Sequence, residues 1–119
     1  MADVSESWER FKQYYHNQLN EVTAQFKPDL YWFDGDWEQS AEKWKAKEIR
    51  DLLLEKTPTT IINSRLQGYG DYATPEQGIP ITKPDSDYWE LCMTMNNSWG
   101  YQSNDTNYNR ALNRRVELI

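Results

Sequence analysis

Asp34, Glu76 and Glu90 are the acids of this 119-residue chain whose neighbours suggest chemistry. Two carboxylates are enough to cleave a glycosidic bond. One attacks the anomeric carbon, and the other protonates the leaving oxygen and later activates water. The first must stay ionised. The second must hold its proton, through burial or a nearby charge. Asp34 suits the first role: it ends the run Leu30-Tyr31-Trp32-Phe33, and Gly35, Asp36 and Trp37 follow. A carboxylate delivered from a strand end among aromatic rings suits a sugar pocket. Arg65, after the next β-rich run, is a cation that would keep it ionised. Glu76 suits the acid, because a loop can carry it over a pocket, and Glu90, beside Trp89, is its rival.

Each of these residues also has a plainer reading. Asp-Gly after a strand is a common turn. Asp36 can cap the next segment. Thr74-Pro75-Glu76 can open a helix with proline at its first position, and Glu90 can be a structural acid at a strand start. Spacing alone does not pair any of them. His16 and Cys92, the one histidine and the one cysteine, do not make a zinc site with scattered acids. Gly68 and Gly70 lack the Lys-Ser/Thr that follows a phosphate-binding loop.

Composition narrows the partners. A net charge of −6 and a pI near 4.7 argue against nucleic acid, which needs a basic footprint. Six Trp and eight Tyr exceed what a small core needs, leaving rings to stack on sugar faces. One cysteine excludes a disulfide within the chain. No apolar run approaches the roughly 20 residues of a membrane span, and the polar, acidic start carries no signal-peptide core.

The elements that must position these groups follow from periodicity. Trp8, Phe11, Tyr15, Leu19, Val22 and Phe26 recur every three or four residues, which predicts a helix from Ser7 to the turn before Pro28. Leu30 to Phe33 reads as a short strand buried on both sides, left sharply at Gly35. Ser40 caps a second helix carrying Trp44, Ile49, Leu52 and Leu53 on one face, ending before Pro58. Thr59 to Asn63 is a second strand, Gly68 to Pro84 a loop, Trp89 to Met95 a third strand, and Asn107 to Ile119 a last helix. Strands separated by a helix predict parallel pairing with right-handed crossovers. Polar groups gather after each strand, the habit of a (β/α)8 TIM barrel. The expected fold class is therefore α/β, with about three parallel strands and flanking helices. That is less than half of such a barrel.

Five motifs then fall into a familiar order. Phe26-Lys27-Pro28-Asp29 with Leu30 to Trp37 resembles the nucleophile segment of family 29 glycoside hydrolases, the α-L-fucosidases. The resemblance continues through Ile62-Asn63-Ser64-Arg65, Gly70 to Glu76, Trp89 to Met95 and Ser98-Trp99-Gly100-Tyr101, from about residue 14 to residue 108. It implies a retaining exo-glycosidase with Asp34 as nucleophile and Arg65 and Trp99 on the sugar, Trp99 toward the fucose methyl. The acid/base is Glu76 as first choice, with Glu90 open. It implies no metal and no organic cofactor, a fucosylated glycan as substrate, and a secreted, periplasmic or lysosomal setting. The strands that carry the family's sugar-gripping histidines are not in this sequence, and Arg110 to Ile119 fits the family poorly. Residues 1–119 are thus expected to be a central to C-terminal part of the barrel, inactive alone, with open edges and apolar surface. The alternative is a non-catalytic carbohydrate-binding or interaction fragment.

Overall fold

The computed structural model describes residues 4–78 and 80–108. These fall into two compact units that divide between Tyr72 and Ala73. The expected helix over Asn107–Ile119 lies almost wholly outside the described residues.

The first unit contains helix α1 (Val4–Phe26), strand β1 (Leu30–Tyr31), a 3-10 turn (Asp36–Glu38), helices α2 (Ala41–Trp44) and α3 (Ala46–Lys56), and strand β2 (Ile61–Ile62). Helix α1 stops two residues before Pro28, with Lys27 in the left-handed region at φ 46°. Its buried line differs from the expected stripe: Leu19 is inside, but so are Lys12 and Thr23, while Val22 and Phe26 face outward. Thr23 can replace an apolar residue because its hydroxyl is satisfied, by the Leu19 carbonyl at 2.5 Å and the Tyr31 hydroxyl at 2.7 Å.

The single helix expected after Ser40 is two. Ser40 caps α2 as read, accepting from the Lys43 amide at 3.4 Å. Lys45 then adopts a left-handed conformation (φ 55°, ψ 45°) and α3 starts afresh. The break turns Trp44 into an aromatic cluster with Trp8, Phe11 and Tyr15, and its indole N–H donates to the Asp36 carbonyl at 2.9 Å. Helix α3 packs against α1 and buries Ala46, Ile49 and Leu53 completely. Each large aliphatic removed from water this way contributes about 1.5–3 kcal/mol.

β1 and β2 pair in parallel, Leu30 with Ile61 and Tyr31 with Ile62, as the intervening helices require. Burial is one-sided, contrary to the expectation of a strand covered on both faces. Tyr31 and Ile62 point into the core, while Leu30, Trp32 and Ile61 are 41%, 38% and 47% exposed. The helices cover one face only, and pleating sends alternate residues to the other. Asp71 holds the far edge of β2: its carboxylate accepts from the Ile62 amide at 2.8 Å and from Arg50 at 2.6 Å. Gly70 lets the chain approach that edge, since a Cβ there would lie 2.2 Å from the Asn63 carbonyl oxygen. Gly70→Ala is therefore expected to destabilise the protein by about 1–3 kcal/mol, because backbone must move to admit the methyl. A denaturant midpoint equal to that of the parent would contradict the close approach.

In the second unit the expected third strand, Trp89–Met95, is not a regular strand among the described residues. It pairs in parallel with residues 73–77, which the sequence reads as loop. Ala73 donates to the Tyr88 carbonyl (3.3 Å) and accepts from Glu90 (2.9 Å), then Cys92 donates to Pro75 (3.0 Å) and Gln77 to Cys92 (2.9 Å). These bonds keep one register, Ala73 with Trp89 and Glu76 with Cys92. One rung is missing, the one residue 75 would donate, because proline has no N–H. That gap reduces a short parallel ladder to isolated bridges.

Candidate active site

The site begins where the parallel pair ends. Carrying the β1–β2 register three residues onward sets Asp34 opposite Arg65. The side chains meet there: Arg65 Nη1 donates to Asp34 Oδ1 at 2.5 Å. The two ends of the pair differ in access, since the Arg65 side chain is 11% exposed and that of Asp34 59%. The cation is shielded while one flank of the carboxylate stays open to a reactant. Arg65 also lies 4.6 Å above the Trp32 ring centroid, a cation–π contact that fixes the guanidinium plane. Gly35, in the left-handed region at φ 89°, turns the chain away immediately after Asp34, as expected for this glycine.

Asp36 belongs to the scaffold. Its carboxylate accepts from the Gln67 amide at 2.8 Å, and its carbonyl accepts from Gln67 Nε2 at 2.7 Å as well as from Trp44. The loops after β1 and β2 are thus tied together just beyond the Asp34–Arg65 pair. A cavity of about 130 Å³ lies beneath, walled by Tyr15, Phe33, Asp34, Asp36 and Arg65 among others. Burial pushes the Tyr15 phenol up to about 12, so it faces this cavity as a neutral group. His16 lies away from it, beside Lys12 and Lys45. Burial first, then Lys45, lowers its pKa.

Glu76, Glu90 and Trp99 belong to the second unit. The ladder register sets Glu76 beside Cys92, two residues along from Glu90, so the two glutamates are diagonal neighbours on one side of it. Both are exposed. Gln77, at φ 55°, turns the chain right after Glu76. Trp99 is 62% exposed and lines an open hollow with Met93, Met95 and Tyr101. Among the described residues no group of three or more His, Cys, Asp or Glu is placed to hold a metal ion. No helix among them is long and apolar enough to cross a membrane.

Sequence reasoning missed Asn63 and Trp32 as site-building residues. Asn63 is fully buried, and its side chain bonds the backbone of Phe33 twice at 2.9 Å. A buried Asn at the end of a β-rich run has no periodic signature. Trp32 was legible only as one ring among many.

Known proteins are similar to this chain. A family model described as alpha-L-fucosidase matches residues 2–117. The alpha-L-fucosidase of Dictyostelium discoideum is 30% identical over 112 residues, covering 86% of this chain and 24% of that protein. The human tissue alpha-L-fucosidase is 28% identical over 95 residues, 71% of this chain and 20% of that protein. Among solved structures, alpha-L-fucosidase isoenzyme 1 from Paenibacillus thiaminolyticus superposes with a TM-score of 0.73 at 32% identity, over 85% of this chain and 28% of that one. An alpha-L-fucosidase from Bacteroides thetaiotaomicron superposes with a TM-score of 0.68 at 29% identity, over 85% of this chain and 29% of that one. It was solved as a trapped covalent intermediate with 2-fluoro-fucosyl fluoride, using a glutamate-to-glutamine mutant. The chain thus spans a quarter or less of the curated relatives and under a third of the structural ones.

Proposed function

The chain belongs to the alpha-L-fucosidase family, and from that premise we propose that it supplies the nucleophile and acid/base of a retaining α-L-fucosidase site. The observation that carries this reading is the Asp34–Arg65 pair, at 2.5 Å, three residues past the ends of two paired parallel strands. Function at the carboxyl ends of parallel strands is what a (β/α)8 barrel provides. Residues 1–119 are read as a central to C-terminal part of one.

In this mechanism Asp34 attacks the anomeric carbon of a terminal α-L-fucose. The glycosidic C–O bond breaks, and the leaving oxygen takes a proton from Glu76, with Glu90 as the rival donor. A fucosyl ester on Asp34 results. The same glutamate then takes a proton from water, whose oxygen attacks the anomeric carbon from the opposite face and frees Asp34. Two inversions retain the configuration. Arg65 orients Asp34 and leaves the carboxylate's second oxygen for the attack. Trp99 offers its face to the apolar side of the sugar. The substrate is a fucosylated glycan, and the chemistry requires only the two carboxylates.

The test is a hybrid enzyme in which residues 1–119 replace the matching segment of the Paenibacillus thiaminolyticus isoenzyme. Release of the phenol from an aryl α-L-fucoside is expected. A hybrid that melts like its parent and binds fucose without releasing the phenol would instead favour a carbohydrate-binding role.

A further inference from the structure

Asn63 occupies the place where the β1–β2 ladder should continue. The Asn63 amide donates to the Tyr31 carbonyl at 3.1 Å. In a regular parallel ladder the next rung would run from the Phe33 amide to the Asn63 main-chain carbonyl. Here the Phe33 amide donates to the Asn63 side-chain oxygen, at 2.9 Å, and Asn63 Nδ2 donates back to the Phe33 carbonyl, also at 2.9 Å. The side-chain amide acts as an inserted peptide group. It makes both bonds of a rung just past the last paired residues of the two strands.

The second of these bonds holds the carbonyl of the peptide that joins Phe33 to Asp34. We infer that Asn63 is a positioning residue for the nucleophile, a side-chain rung that fixes the Phe33–Asp34 peptide and so aims the Asp34 carboxylate. The inference rests on Asp34 being that nucleophile. The geometry is specific to an amide. A carboxylate at residue 63 could not donate to the Phe33 carbonyl, and a hydroxyl could not span both groups. Asn63 is fully buried, so no water replaces the lost bonds without rearrangement. Arg65, two residues on, grips Asp34 from the β2 side, so one short stretch holds both the backbone and the side chain of the nucleophile.

A double-mutant cycle in the hybrid separates positioning from plain structural support. With Asp34 present, Asn63→Ala is expected to lower kcat roughly 10- to 100-fold with KM moving less than about threefold, the size of loss a displacement near 1 Å produces. In the Asp34→Gly background azide takes over. It attacks the anomeric carbon as the phenol leaves and gives the fucosyl azide of inverted configuration. There Asn63→Ala is expected to change the azide-supported rate by less than about threefold, since nothing is left to aim. Equal losses in both backgrounds would overturn the proposal and leave Asn63 as ordinary packing. If Asp34→Gly keeps full turnover without azide, the nucleophile assignment itself falls, a distinct result that removes this inference too. A measurement on the 119-residue chain stands whether or not the hybrid folds. In Asn63→Ala the Phe33 amide should exchange with solvent at least about tenfold faster, while the amide of residue 63 changes little. Uniform acceleration across the ladder, or an unchanged Phe33 amide, would reject the side-chain rung.

Discussion

Asp34→Gly in the hybrid enzyme is expected to cost roughly a thousandfold or more in kcat on an aryl α-L-fucoside, the scale on which loss of a covalent nucleophile acts. KM should move little, because Arg65 and the surrounding rings would remain. Added azide should restore turnover in this variant and give the inverted fucosyl azide, since a small anion fits the space vacated by the carboxylate. The physical basis is the asymmetry of the pair: a shielded guanidinium fixed by Trp32, and a carboxylate with one oxygen engaged and one flank open. Near-parental turnover would mean that Asp34 only anchors Arg65, and the nucleophile would have to be sought elsewhere.

Much of the scaffold for this pair was legible in the sequence, for identifiable reasons. The three-and-four spacing from Trp8 to Phe26 gave α1, and Pro28 gave its end. The parallel pairing of residues 30–31 with 61–62 followed from the helices between them. Arg65 was read as a cation after the next strand that could act on Asp34, and the two side chains meet. The misses have local causes. Thr23 is buried because two hydroxyl bonds satisfy it, which no hydropathy pattern encodes. The break at Lys45 requires a left-handed non-glycine residue in a sequence that reads as continuous helix. The partner of residues 88–92 was read as loop because Pro75 deletes a rung from an otherwise regular ladder. Asn63 escaped because its role lies in bonds to a backbone 30 residues away in sequence.

The acid/base is decided by chemistry that spacing cannot supply, and Glu76 is the expected answer. Both glutamates lie on one side of the 73–77/88–92 ladder, so a small change in chain direction separates their reach. Glu76 pairs with Cys92 at the last bridge of the ladder, and Gln77 turns the chain directly after it. Glu90 lies inside the paired stretch, its own amide donating to the Ala73 carbonyl. In the hybrid, Glu76→Gly should lower turnover of an unactivated fucoside by roughly 10²–10⁴, the usual contribution of a general acid. An aryl fucoside with a good leaving group should lose much less in its first step, because that phenolate departs without a proton. Its fucosyl ester should then accumulate, since no base activates water. Azide needs no base, so it should accelerate breakdown of the ester and yield fucosyl azide with retained configuration. Glu90→Gly should lose less than about tenfold and ignore azide. Rescue confined to Glu90→Gly would transfer the role to that residue, and rescue at neither would remove both glutamates from the reaction.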